Sequence, residues 1–401
     1  MKNKTLHIEN FGPITDATVK LRAFNLFIGE QAIGKSTMAK LITIFTDYIS
    51  LCKLINGGMG FWKICLKEYG LDIYAADNYK ISYVMENENQ SFHLKIENKA
   101  IVCFMLKDGK KITNRTSIFN SLIDLKPIYH SEELYKKIQE GEKSGVKKED
   151  LLELFKNSLY IPAERIIYSV LTNLMPALYL SKSAVPQILL RFMVELNNAK
   201  AEYPKLPIGL LNIDFKYEAG EDSIVLEGDD KTIPLNVASS GIQSLVPLML
   251  VLHYAIDKRE YSSYVIEEPE CNLFPTKQVE LLKEILKKVM HSSRTLTITT
   301  HSPYLLSAIN NLLFAGLIVE KYGEAMKNYM DEIVPPEYRL SASECSVYSL
   351  GESINGGVYC RSLMDEETGM IDFNSLDAVS EELSIEFDAL QDAVMKLDSE
   401  D

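Results

Sequence analysis

The fold is decided by the stretch FNLFIGEQAIGKSTMAKLITIF, residues 24–45. It begins as an apolar run typical of a buried strand, passes through a short loop, and continues with helical apolar spacing. The loop GEQAIGKS, residues 29–36, fits the pattern G-x-x-x-x-G-K-[ST] without deviation. In that pattern, backbone N–H groups and the N-terminus of the following helix surround an anion. The order strand, glycine loop, helix therefore predicts a phosphate-binding site.

Each residue of this loop has an expected part in binding a nucleotide. Lys35 places a positive charge at the β- and γ-phosphates, where it serves both binding and catalysis, and the hydroxyl of Ser36 ligates Mg²⁺. The predicted cofactors are therefore ATP and Mg²⁺. The predicted nucleotide-binding residues are Gly29, Glu30, Gln31, Ala32, Ile33, Gly34, Lys35, Ser36 and Thr37.

A second candidate element is YVIEEPE, residues 264–270, in which an apolar strand ends in two adjacent carboxylates. Strand alternation points the two side chains in different directions. Glu267 would then hold the Mg²⁺ shell, and Glu268 would polarise an attacking water. The alternative is a solvated pair of surface carboxylates, which is the common state of acidic residues.

Two further segments are candidate motifs, which brings their number to four. The segment SSGIQ, residues 239–243, precedes an apolar helix and is either a helix cap or a phosphate contact. The segment TLTITTHSP, residues 295–303, is a β-branched strand that ends at His301, which lies 33 residues after Glu268. A neutral imidazole at that point could contact a phosphate and orient a water molecule.

The four motifs, in this order, resemble the ABC-type ATPases in the branch that contains the SMC, RecF and OLD proteins. The resemblance covers roughly residues 1–50 and 155–320. It implies an α/β fold with an ABC-type ATPase head, made of a mixed core sheet flanked by helices, an antiparallel β lobe and a helical signature lobe. Residues 51–154 would be an inserted β and helical lobe, and residues 321–401 a C-terminal extension with an acidic amphipathic helix.

The resemblance also assigns roles. Ser240 and Gly241 match the serine and first glycine of the signature motif, which binds the γ-phosphate held by a second copy, and His301 matches the switch histidine. Glu267 stands where the family usually has aspartate, a variant found in the OLD-like branch. Arg165, in YIPAER, resembles a segment of compact OLD-type ATPases and could face nucleotide or a partner; a structural salt bridge is the alternative.

The expected activity is slow, regulated ATP hydrolysis by two heads that sandwich two ATP molecules. After His301 the sequence has no D-x-D pair and no further histidine, so we do not expect a Toprim or HNH nuclease centre there. The chain is then similar to ATPase subunits of anti-phage systems such as Septu and PARIS. Its expected partners are another copy and an effector protein, a nuclease or toxin. A RecF-like DNA-repair ATPase that contacts nucleic acid, or an ATP-binding scaffold, are the alternatives.

Charge is concentrated at one end of the chain. The net charge is −14, and residues 361–401 hold 13 acidic and 2 basic residues, which leaves −3 for the rest. Charge alone therefore does not predict tight nucleic-acid binding. Within the acidic end, seven apolar residues are spaced 3 or 4 apart and predict one helix face, packed either on its own body or on another subunit. They are Leu376, Val379, Leu383, Phe387, Leu390, Val394 and Leu397.

The remaining composition indicates a cytoplasmic chain. The N-terminus MKNKTLHIEN lacks the apolar core of a signal peptide, and no uninterrupted apolar run reaches the roughly 20 residues that span a bilayer. We therefore expect no membrane partner. Six cysteines are scattered without a C-x-x-C pair, so zinc ligation has no support from spacing.

Overall fold

The computed structural model describes residues 3–75, 78–97, 99–115, 117–118, 157–171, 186–226, 228, 231–259, 261–290, 294–351, 358–372, 374 and 381–391. Within these residues the structure has sixteen strands: β1 (Asn3–Phe11), β2 (Ile14–Leu21), β3 (Phe24–Ile28), β4 (Lys80–Glu86), β5 (Gln90–Glu97), β6 (Ala100–Lys107), β7 (Lys110–Ile112), β8 (Asn157–Ile161), β9 (Lys205–Ile208), β10 (Ile213–Glu218), β11 (Glu221–Leu226), β12 (Thr232–Pro234), β13 (Tyr261–Glu267), β14 (Thr295–Thr299), β15 (Cys345–Leu350) and β16 (Cys360–Ser362).

Two helices follow β3, and in the second half of the chain helices alternate with the strands. The helices are α1 (Lys35–Thr46), α2 (Tyr48–Tyr69), α3 (Ile166–Leu171), α4 (Gln187–Glu202), α5 (Ser240–Lys258), α6 (Pro275–Val289), α7 (Pro303–Tyr322), α8 (Glu324–Ile333) and a tail helix, residues 381–391. Helical apolar spacing continues without a break through MAKLITIFTDYISLCKLI, residues 38–55, yet this stretch forms two helices, because Asp47 adopts an extended backbone and caps α2 through its side chain.

A six-stranded sheet forms the centre of the molecule, with the order β16-β15-β3-β14-β13-β8. All neighbours in it are parallel except β16, which runs antiparallel to β15. Strands β3 and β13 are almost entirely buried, which explains why they read as continuous apolar runs. Their carboxyl ends lead into the phosphate loop and the acidic pair.

Each face of the central sheet is covered by a different layer. Phe27 packs with α1, α2 and an antiparallel sheet of order β2-β1-β4-β5-β6-β7. Phe24, Leu26 and Ile28 face the other way, toward α5, α6, α7 and a four-stranded sheet of order β12-β11-β10-β9. The predicted mixed α/β architecture, with a mixed core sheet, an antiparallel lobe and helices, is confirmed.

The C-terminal part of the chain lies closer to the centre than the sequence predicted. Residues 321–401 were expected as an extension, yet β15 pairs with β3 over Cys345 to Ser349 and is buried throughout. The antiparallel strands β4–β7, expected within an insertion, share one sheet with β1. The division into head, insertion and extension stays a prediction. The segment EGEKSGVKKED, residues 140–150, whose charges and two glycines predict an exposed loop or helix tip, lies outside the described residues. So do tail residues Leu376, Val379, Val394 and Leu397.

Helix α7 bears on the prediction that no apolar run is long enough to span a bilayer. By length and composition alone, α7 is long and apolar enough to cross a membrane, although its sequence is not an uninterrupted apolar run. It passes that test because Ser307, Asn310 and Asn311 are polar but uncharged. Core helices pass the same test, and α7 buries Leu305, Ile309 and other apolar residues in the core, so this single helix is weak support for a membrane.

Candidate functional site

The phosphate loop connects the end of β3 to the start of α1. Its backbone takes left-handed conformations at Gly29 (φ 145°), Ala32 (φ 62°) and Gly34 (φ 105°). A side chain at Gly29 would place its Cβ 2.6 Å from the carbonyl oxygen of Leu350, at the end of β15. Glycine is therefore required there by both conformation and space. The hydroxyl of Tyr359 also donates to the carbonyl of Ile33, so the C-terminal strands support the loop.

Lys35, the first residue of α1, is buried and folded over the loop. Its Nζ donates to the carbonyl oxygens of Gly29 at 2.8 Å and Glu30 at 2.5 Å. Burial lowers the pKa of Lys35 to about 8, and the carboxylates of Glu268 and Glu267 act in the opposite direction. The ammonium is thus held inside the loop that would receive phosphates, with carbonyl oxygens in the place of phosphate oxygens.

Glu267 ends β13 and is buried against the phosphate loop. One carboxylate oxygen accepts a hydrogen bond from Ser36 Oγ at 2.7 Å, and the other accepts from Tyr160 Oη at 2.5 Å. Burial raises the pKa of Glu267, against the effect of those two bonds. A hydroxyl beside a carboxylate is a set of hard oxygen donors that suits Mg²⁺, so these residues fit the predicted ion. No larger group of metal-ligating side chains occurs among the described residues.

Glu268 follows on a strained turn. Its φ of 41° is rare for a residue with a side chain, and such strain tends to occur at functional sites. Its Oε1 lies 3.3 Å from His301 Nε2, and its Oε2 accepts from the thiol of Cys271 at 3.2 Å. Burial and the nearby Lys35 lower the pKa of His301, which favours the neutral imidazole at physiological pH. An imidazole N–H can then donate to Glu268.

Arg165 has a different position from the one predicted. Its side chain is fully buried, and its guanidinium donates to the main-chain carbonyls of Pro162, Ser244, Glu267, Glu268 and Pro269, at 2.7 to 3.1 Å. Arginine has five N–H donors, and all five are used. The predicted contact with nucleotide is therefore wrong, and so is the alternative of a salt bridge, because the acceptors are carbonyls. Arg165 fixes the backbone of the acidic turn.

The signature-like turn is exposed at the start of α5. Ser239 and Ser240 are both exposed, and Gln243 fixes the preceding turn by donating to the carbonyls of Asn236 and Ala238. A Cβ at Gly241 would lie 2.7 Å from the carbonyl oxygen of Asn272, so the turn abuts the loop after the acidic pair. Across the residues that the structure describes, no hydrogen bond or ion pair joins Ser240 to Lys35, Glu267, Glu268 or His301.

Sequence reasoning missed three residues that hold this site. Glu270 is buried, and its Oε1 accepts from Thr300 Oγ1 at 2.5 Å and from the His301 N–H at 3.1 Å. It therefore ties the acidic turn to the histidine strand. Tyr160 and Tyr359 hold Glu267 and the phosphate loop, respectively. Glu270 is the third acidic residue of the quoted segment YVIEEPE, but the sequence does not indicate the direction of its side chain.

Comparison with protein families gives a match to an ATPase domain over part of the chain. Residues 187–306 match the family model described as an AAA ATPase domain, which is less than half of the chain. A search of curated proteins finds no significant relative.

Several solved structures are similar in part. The SMC head domain from Thermotoga maritima has 14% identity and a TM-score of 0.37, over 77% of this chain and 92% of that one. An SMC head bound to the C-terminal winged-helix domain of ScpA has 11% identity and a TM-score of 0.40, over 76% and 91%. An SMC head with an extended coiled coil, bound to a ScpA domain derived from Pyrococcus furiosus, has 12% identity and a TM-score of 0.38, over 77% and 92%.

Proposed function

We propose that this chain is an ATP-binding and ATP-hydrolysing switch of the ABC type. One observation carries the proposal. Lys35, Ser36, Glu267, Glu268 and His301 meet beyond the carboxyl ends of three adjacent parallel strands, β3, β14 and β13. Open parallel sheets bind ligands at that edge, and here the ammonium, hydroxyl, carboxylates and imidazole needed for phosphoryl chemistry stand together.

The proposed mechanism assigns each group a separate task. The loop amides and Lys35 hold the triphosphate, and Ser36 with Glu267 would hold Mg²⁺, which neutralises charge on the phosphate oxygens when bound. Glu268 polarises the attacking water, and His301 orients it beside the γ-phosphate. The partial exposure of Glu268 and His301, at 29% and 30% of their side chains, leaves room for a water between them and solvent.

We further propose that each site needs a second copy of the chain. Ser240 and the N-terminus of α5, a helix of 19 residues, are exposed rather than turned toward the Lys35 pocket of their own chain. Unsatisfied N–H groups and the helix dipole at such an end attract an anion. A γ-phosphate held by the other copy would close two heads over two nucleotides, and hydrolysis would release them. Different affinities for ATP and ADP then make a switch.

For the biological role, we propose a cytoplasmic regulator of a partner effector, a nuclease or toxin, in anti-phage defence. Residues 302–401 hold no D-x-D pair and no histidine, and the proposal assigns the effector activity to a partner. Co-purification with the Glu268→Gln variant, expected to remain in the closed state, should recover that partner. Duplex DNA that raised ATP turnover with a steep salt dependence would instead favour the RecF-like alternative.

The central experiment measures phosphate release from Mg²⁺-ATP by the purified chain. Replacing Glu268 by Gln should lower turnover by about 100-fold or more, because the water loses its general base, while ATP binding and ATP-dependent dimerisation persist. Glu320→Gln, an exposed carboxylate on α7, is the matched control and should leave turnover unchanged. Equal phosphate release by the wild type and the Glu268→Gln variant would overturn the proposed mechanism.

A further inference from the structure

An apolar groove of about 590 Å³ lies between α6, α7 and α8. Val279, Leu312, Phe314, Ile318 and Ile333 are among its lining residues, and Lys283 is the one charged side chain that lines it in the described part of the chain. Phe314 and Ile333 each remain 55% exposed. Contiguous exposed apolar surface of this kind marks an interaction site more often than chance.

The tail helix carries a second exposed apolar surface. All its residues, 381–391, are exposed. Leu383, Phe387 and Leu390 follow the spacing i, i+4, i+7, which puts them on one face of the helix, and each is about 60% exposed. Residues 374–401 contain nine acidic residues and one lysine. The helix therefore combines an apolar face with strong negative charge, which complements a groove whose charged residue is Lys283.

The chain enters the tail beside the groove. Asn310, on α7, accepts a hydrogen bond from the Ile371 N–H at 2.9 Å and donates to the Ile371 carbonyl at 3.4 Å. Phe314 lies one helical turn further along α7. The twelve residue steps from Ile371 to Leu383 span up to about 40 Å when extended. The tail is therefore tethered next to the groove and is long enough to reach any part of it.

We propose that the tail helix is the ligand of this groove, docking in its own chain with Leu383, Phe387 and Leu390 against Phe314 and Ile333. The acidic residues beside that face then lie near Lys283. The tether favours this occupant, because a short linker holds a segment at an effective concentration of about 1 mM near its site. Docking would cover the apolar surface of α7 and α8, and release would expose it to a partner.

The test is hydrogen exchange by mass spectrometry on the full chain, read at the amides of residues 381–391. Phe387→Asp and Phe314→Asp should each speed exchange of these amides by about ten- to a hundredfold, since one buried phenylalanine shifts a docking equilibrium by that much. The matched controls are Ile385→Asp, equally exposed in the same helix but off the apolar face, and Tyr329→Asp, an exposed aromatic on α8 that does not line the groove. Both controls should exchange like the wild type.

Three outcomes would overturn the proposal. Wild-type tail amides that exchange as fast as those of Phe387→Asp would mean that the tail is undocked. Protection that rises with protein concentration would place the tail in a second copy. Flotation of the wild-type chain, but not of Phe314→Asp, with phosphatidylcholine vesicles would make the groove a membrane contact. None of these readouts depends on ATP turnover, so they stand apart from the test of the proposed function.

Discussion

The pocket around Lys35 and the turn around Ser240 differ in how much of each one chain completes. In the pocket, Lys35 and Glu267 are buried and fully engaged with the loop, Ser36 and Tyr160. In the turn, the serines are exposed, and no hydrogen bond or ion pair joins Ser240 to the pocket side chains within the described residues. The difference indicates that one chain brings the ammonium, hydroxyl and carboxylate groups of the pocket together by itself, whereas the turn presents its hydroxyl and its helix end outward.

The two regions are nevertheless joined mechanically. Arg165 donates both to the carbonyl of Ser244, in the first turns of α5, and to the carbonyls of Glu267 and Glu268. Gly241 abuts the carbonyl of Asn272, just after the acidic turn. A displacement of the exposed turn should therefore move the backbone that carries Glu267 and Glu268. Substitutions can separate the two regions or break this joint, with effects that should range from large to small.

Mixing two inactive variants tests whether pocket and turn act across two copies. Lys35→Ala and Ser240→Arg should each lower ATP turnover by about 100-fold or more, because each removes or blocks a phosphate contact. In an equal mixture, half of the dimers contain one variant of each kind and have one intact site, so turnover should recover to about a quarter of the wild-type rate. A mixture as inactive as its parts would show that pocket and turn do not meet across a dimer.

Removing Arg165 tests the joint itself. Arg165→Met should destabilise the fold by about 3 to 5 kcal/mol, because buried carbonyls lose their donors. The free energy of unfolding in urea measures the change. Arg191→Met is the control, because Arg191 pairs with Glu68 at a half-exposed site and should contribute less than about 1 kcal/mol. A loss at Arg165 no larger than that at Arg191 would contradict the structural role.

A methyl group at Gly241 probes the contact between the turn and the loop after the acidic pair. Gly241→Ala should destabilise the fold by about 1 to 3 kcal/mol, since the new Cβ would sit 2.7 Å from a backbone oxygen that has little freedom to move. Gly60→Ala is the control, because a Cβ added there would meet nothing within 4 Å and helix propensity favours alanine. Thermal denaturation of both variants gives the comparison, and equal shifts would refute the contact.

The smallest effect concerns the pH dependence that Glu270 confers. Burial raises its pKa, and one of its oxygens, Oε2, is buried without a hydrogen-bond partner among the described residues. The folded state therefore binds this proton more tightly than the unfolded state, so stability falls as pH rises above the unfolded pKa of about 4. Glu270→Gln keeps the acceptor for Thr300 and His301 but cannot ionise. Its stability relative to the wild type should increase with pH between 4 and 8; parallel stability curves would contradict the assignment.

The sequence predicted those parts of the fold and site that are written in contiguous patterns. The phosphate loop, the acidic pair, the antiparallel strands and the helices after Ser240 each have a local signal, and the structure brings Lys35, Ser36, Glu267, Glu268 and His301 together. Their catalytic and binding roles remain predictions.

Other parts had no such signal. Arg165 donates to the nearby carbonyl of Pro162 and to carbonyls of two distant segments, at Ser244 and at residues 267–269. Every residue has a carbonyl, so no pattern of residue types predicts that contact. The pairing of β15 with β3 could not be predicted either, because the sequence of a short buried strand in a parallel sheet does not specify which strand lies beside it.

The placement of β15 has a consequence for biosynthesis. Strand β3, which leads into the phosphate loop, lies between β14 and β15. It is synthesised first, but the two strands it pairs with are translated roughly 270 and 320 residues later. Gly29 then meets Leu350, and Ile33 meets Tyr359, only after more than 300 further residues have been translated. Because such distant pairings form slowly, the phosphate loop should gain its support from β14 and β15 late in folding, and the proposed ATP binding would follow that step.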